Sequence, residues 1–127
     1  MPPPTAPKDF LVPLVHRIRT LYKRIYRLGG LLPKRDKLGI HVTLEATTLA
    51  VMMLAIEAAF IRGIAKKPML EKLRIKVELG KQLVRTEHEL EIITQAVYLE
   101  LGKELVEISK MTTRWIQSLL QKPEKER

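Results

Sequence analysis

LEATTLAVMMLAIEAAFI, residues 44–61, decides the fold. Placed on a helix, its apolar residues do not keep to one side. Leu44, Val51, Ala55 and Ala58 form one row. Ala46, Leu49, Met53, Ile56 and Phe60 form another on a different face. A helix that is apolar nearly all round must be covered nearly all round. The stretch is interrupted by Glu45 and Glu57, which leave an uncharged run of 11 residues; a bilayer span needs ~20. The expectation is therefore the central helix of a bundle. One face serves the intramolecular core, and the other is covered by a further helix or by a second copy of the chain. Self-association is the first functional expectation.

The chain of 127 residues suffices for one domain with a real core. No cysteine is present, which removes disulfides, thiolate metal sites and cysteine nucleophiles. The opening MPPPTAPKDF has no apolar run of the signal-peptide kind, and no stretch reads as a membrane span. A cytoplasmic protein without a membrane partner is expected.

The net charge is +9, from 23 Lys and Arg against 14 Asp and Glu. An excess of this size points to a polyanionic partner such as nucleic acid, an acidic protein face or anionic lipid. The charge is also polarised. Residues 1–44 hold nine cations against Asp9 and Asp36, a net of +7. Residues 87–107 hold six glutamates against Lys103, a net of −5.

Periodicity gives four helices. Residues 1–9, with four prolines, read as a disordered tail. The first helix runs from about 10 to 28, with Pro13 in its first turn. Its apolar residues Leu11, Leu14, Val15, Ile18, Leu21, Tyr22, Ile25 and Leu28 are spaced by threes and fours, and Gly29-Gly30 stops it. The second runs from about 38 to 66, closed by Gly63 and Pro68. The third, about 68–91, buries Leu70, Leu73, Val77, Gly80, Val84 and Leu90. Ile92-Ile93 make a turn, and Thr94 caps the fourth helix, about 95–120. In that helix Val97, Leu101, Leu105, Ile108, Met111, Trp115 and Leu119 form one stripe. Residues 122–127 read as a charged tail, leaving 10–121 as the folded domain. Nothing alternates with period two. The expected class is all-α, an up-down-up-down four-helix bundle.

The residues offer little to catalysis. His16, His41 and His88 are far apart, and none stands three residues after a carboxylate, so the Glu-x-x-His pairs of di-iron bundles and the HExxH of zinc proteases are both lacking. Each histidine reads as a surface or interface residue. Glu87, His88 and Glu89 read as exposed helix surface. Glu57 reads as a carboxylate paired across an interface, since a buried charge needs a partner. No enzymatic activity, cofactor or metal is expected.

The strongest functional signal is the polar side of the first helix. Arg17, Arg19, Lys23, Arg24 and Arg27 lie there, and Lys34, Arg35 and Lys37 follow in the loop, with no acid from Phe10 to Arg35. Like charges at helical spacing subtract stability, and phosphate contacts offset that loss. Guanidinium groups suit phosphate because their fork binds two oxygens. Arg74, Lys81 and Arg85 form a second basic stripe on the third helix. Aromatic residues number six, which argues against a stacking platform and for backbone recognition. A basic amphipathic helix also suits anionic lipid, but here its apolar side is needed for the bundle.

Two segments carry a family resemblance: LLPKRDKLGIHVTLEATTLAVMMLAIEAAF, residues 31–60, and LGKELVEISKMTTRWIQSL, residues 101–119. The chain resembles the four-helix-bundle family that contains the accessory variability determinant (Avd) of diversity-generating retroelements and the proteins encoded in 23S ribosomal RNA intervening sequences. Ile108, Met111, Trp115, Ile116 and Ser118 fit its closing motif of the form IGRMLGGWIKSL, whereas Ser109, Thr112 and Thr113 depart from it and the glycines are lacking. The third helix is longer than usual by the stretch RTEHELE. The resemblance covers about residues 14–120 and implies a homopentameric barrel of bundles. In the retroelement branch it implies binding of the reverse transcriptase and its template RNA through a basic surface, in support of mutagenic cDNA synthesis. It implies no catalytic residues. The ribosomal-insert branch implies an interaction scaffold, and the +9 charge leans toward the retroelement branch.

Overall fold

A computed structural model describes the backbone of residues 6–121 and the side chains of residues 10–121. Of the expected tails, 1–9 and 122–127, residues 1–5 and 122–127 lie outside the described residues, whereas 6–9 belong to the first helix. Helices account for nearly all of the described chain, and no strand occurs there. They are α1 (Ala6–Gly29), α2 (Lys34–Leu38), α3 (Ile40–Ala58), a 3-10 turn (Gly63–Lys66), α4 (Lys67–Glu89) and α5 (Gln95–Gln121). The four long helices close a ring of contacts: α1 packs on α3 and α5, and α4 packs on α3 and α5.

The buried rows follow the periodicity. Leu14, Ile18, Leu21 and Ile25 of α1 meet Leu44, Val51, Ala55 and Ala58 of α3. Leu70, Leu73, Val77 and Val84 of α4 and Leu101, Leu105, Ile108, Trp115 and Leu119 of α5 complete the core. Trp115 is the largest fully buried side chain and stacks on Phe10, with ring centroids 6.1 Å apart. Apolar burial of this extent is the main stabilising contribution, about 1.5–3 kcal/mol per fully buried large side chain.

Several boundaries differ from the periodic reading. α1 begins at Ala6, so Pro13 stands inside the helix rather than in its first turn, where it removes one backbone hydrogen bond. The basic loop contains the short helix α2. The second long helix ends at Ala58 rather than near residue 66. There the buried Lys66 ammonium donates to the Ala58 carbonyl at 3.0 Å and to that of Ile61, supplying positive charge at a helix C-terminus. Gly63 turns the chain with φ 59. By length and composition, α3 does suffice to cross a membrane, contrary to the reading of its uncharged run alone. Its inner row is nonetheless packed into the ring of helices.

The α4–α5 connection has the form expected of a helix C-terminus, with one irregularity. Ile92 N–H donates to the Glu87 carbonyl at 2.9 Å and Glu91 N–H to the His88 carbonyl at 3.0 Å, a Schellman motif. Its left-handed position is held by Glu91, φ 62, where glycine is usual. Thr94 then caps α5, its hydroxyl accepting from Val97 N–H at 3.2 Å. Because α4 stops at Glu89, Leu90 is 60% exposed rather than part of the buried row. Glu91→Gly is expected to raise stability by about 1 kcal/mol, since a left-handed non-glycine residue costs about that much. A higher urea midpoint at unchanged slope checks this.

Candidate functional site

The cations singled out in the sequence separate into two groups. Arg17 Nη1 lies 2.8 Å from Glu104 Oε1, and Arg24 pairs with Glu100. Both acids are on α5, so the acidic pole of the sequence folds back onto part of the basic one. Opposite charges on neighbouring helices attract, and these side chains lean into the α1–α5 seam. Arg17, Arg24 and Glu104, with His16, Thr20 and Leu21, line an open groove of about 300 Å³ there. Arg19, Lys23 and Arg27 are exposed and form no ion pair among the described residues. They recur every fourth residue, which sets them about 6 Å apart along the outward face of α1.

Lys34, Arg35 and Lys37 continue this exposed charge on α2, where Arg35 pairs with its neighbour Asp36 at 3.3 Å. The α4 stripe is a separate surface. Lys81 pairs with Glu78 at 2.6 Å and Arg85 with Glu89 at 3.1 Å, while Arg74 is exposed and forms no ion pair among the described residues. Since α4 sits across the ring from α1, this stripe does not join the α1 face.

A further exposed surface is the outer face of α3, the helix packed beside α1. Met53 is 59% exposed, Ile56 39% and Phe60, just past the helix end, 84%. Val42 and Ala46 are also exposed, and Leu49 is half-buried. This is the second apolar row of the opening stretch. Among the described residues nothing covers it, and apolar exposure of this kind marks an interaction surface. Glu57 is exposed on the edge of the same face.

The expectation that every histidine is superficial fails at His41, and that of an exposed Glu87 fails with it. Both side chains are fully buried. His41 Nδ1 lies 2.9 Å from Glu87 Oε2, and Nε2 lies 2.7 Å from the Ile25 carbonyl oxygen. Glu45 Oε2 stands 3.8 Å from Nε2. One imidazole thus ties the end of α1, the start of α3 and the end of α4. Burial disfavours its charge, but the Glu87 bond, the Ile25 carbonyl and the Glu87 and Glu45 charges outweigh this and hold the His41 pKa above its usual 6.5. Glu87 Oε1 has no hydrogen-bond partner among the described residues.

A signal for this pair was present in the register. His41 and Thr48 extend the buried row to 41, 44, 48, 51, 55 and 58, all buried. Glu87 likewise extends 70, 73, 77, 80 and 84. Residue type concealed what spacing revealed. Both ring nitrogens of His41 are taken, and no cluster of three or more acids or histidines is placed to hold a metal among the described residues.

The chain matches no family model, no curated protein and no solved structure.

Proposed function

We propose that the protein is a non-enzymatic, cytoplasmic accessory protein of a diversity-generating retroelement. It binds the reverse transcriptase and template RNA through a basic surface and supports mutagenic cDNA synthesis. The bundle runs up-down-up-down, and copies join through the outer face of α3 into a closed homo-oligomer, a pentameric barrel in the family it resembles. Each copy then adds its own cationic face, and modest contacts sum by avidity.

One observation carries this reading: Arg19, Lys23 and Arg27 stand exposed in a row, outside any ion pair among the described residues, and lead into Lys34 and Lys37. A row of guanidinium and ammonium groups suits a phosphate backbone and carries no base-reading chemistry. Arg17 and Arg24 contribute less, because Glu104 and Glu100 already neutralise them.

The test is binding of a structured RNA across a salt series, with oligomer mass recorded alongside. Affinity is expected to fall steeply with salt. The variant Arg19→Glu/Lys23→Glu/Arg27→Glu is expected to keep its helix content and to flatten the salt slope by roughly 2–3, about one unit per lost phosphate contact. Arg17 and Arg24 are left intact because reversing them would set glutamate against glutamate in the α1–α5 seam. An unchanged slope in the folded variant removes the α1 face from the RNA site.

The seam ion pairs favour a second reading. A chain that spends two of its arginines on its own acids needs fewer anionic contacts outside. On that reading the protein is a homo-oligomeric scaffold for protein partners, of the ribosomal-insert type, and an intact oligomer binds no RNA even at low salt.

A further inference from the structure

The buried pair brackets a segment with little burial of its own. Gly29 ends α1, His41 is the second residue of α3, and the segment between them contains α2, which buries no residue of its own. The imidazole therefore grips both ends of residues 30–40: one nitrogen holds the last turns of α1 through Ile25, the other holds α4 through Glu87. Packing around it is tight. A Cβ on Gly29 would stand 3.0 Å from His41 Cδ2 and 3.1 Å from Glu45 Oε2.

Proton counting shows what keeps this grip closed. The Ile25 carbonyl only accepts, so Nε2 carries a hydrogen. The contact between Nδ1 and Glu87 Oε2 then needs one further proton. Imidazolium with carboxylate and imidazole with carboxylic acid both supply it, and both are neutral as a pair. When that proton passes to a solvent base, two lone pairs face each other at 2.9 Å. A net negative charge is left buried beside Glu45. The groups facing His41 are the Ile25 carbonyl from α1, Glu45 from α3 and Glu87 from α4. Among the described residues no group of α2 or α5 bonds or pairs with it.

We propose that the His41–Glu87 pair is a proton-controlled latch on the end of the molecule that carries Lys34, Arg35 and Lys37, shut while the pair holds its proton and loosened when the proton leaves. The sign follows from the raised pKa of His41. Its stabilising contribution is complete below the ordinary histidine value and is lost as pH rises through the folded value. The latch therefore opens on the alkaline side and frees the already exposed cations of α2 from their fixed place relative to α1 and α4.

Amide hydrogen exchange of the full chain, followed from mildly acidic to alkaline pH, tests this. With the intrinsic pH dependence removed, protection of residues 30–40 is expected to fall about tenfold per pH unit once His41 has given up its proton. Protection in the middle of α5 stays constant. Glu87→Gln is expected to abolish the effect. Its amide N–H donates to Nδ1 while Nε2–H keeps Ile25, so every bond is made without the labile proton. Flat protection in the unaltered protein, or an equally steep fall in Glu87→Gln, overturns the latch. Should that variant not fold, the ring nitrogen shifts of His41 in the unaltered protein decide. Titration above 6.5 is expected, and titration below it overturns the proposal.

Discussion

His41→Leu is expected to destabilise the protein by about 3–5 kcal/mol, because it strands the Glu87 carboxylate in the core. Glu87 is fully buried, and one of its oxygens already lacks a hydrogen-bond partner among the described residues. Removing His41 takes away the bond to the other, at 2.9 Å, and the group with which Glu87 forms a neutral pair. The penalty is mostly that of an uncompensated buried charge rather than the net worth of the pair. The double variant His41→Leu/Glu87→Leu is thus expected to recover most of the loss, since apolar replacement of a whole buried pair is often neutral or better. Urea unfolding of the two single variants and the double variant closes the cycle. Additive losses would show that the residues act separately.

Met53→Asp/Ile56→Asp is expected to leave the subunit folded and to abolish its self-association. Both side chains face outward from α3, on the side away from the core row Leu44, Val51, Ala55 and Ala58. Surface changes of this kind alter subunit stability by only about 0.5 kcal/mol. In an interface between copies, the same carboxylates would be buried without partners. Each would weaken association by at least about 2 kcal/mol, so the pair lowers affinity by roughly a thousandfold. Mass measured by light scattering is expected to drop to that of one chain, with helix content unchanged. An unaltered oligomer mass would remove this face from the subunit interface. A monomeric parent protein would remove the oligomer from the proposed function.

How far the candidate site was legible differs from residue to residue. The row of Arg19, Lys23 and Arg27 could be read directly, because a polar helical stripe opposite an apolar one has to face solvent. The pairing of Arg17 with Glu104 spans 87 positions, and no local pattern announces it. Only the arrangement of α5 against α1 paired two of the five helix cations with acids of α5. His41 and Glu87 were missed for the opposite reason. Their spacing was visible and their polarity argued against it, since a buried charge is unfavourable unless a partner of matching geometry is supplied from elsewhere. That partner lay 46 positions away.

The sequence by itself determined the four long helices, the side of each that is buried and the two-faced character of α3. These follow from repeats of three and four residues, which act within one helix and need no knowledge of the rest of the chain. It also marked the Thr94 cap, because capping is local. Tertiary structure alone decided which charges are neutralised and which remain outward. It alone closed α3 at Ala58 and placed a histidine and a glutamate together in the core. Those outcomes depend on distances between helices, and electrostatic and desolvation energies change steeply with distance and burial, which periodicity does not encode.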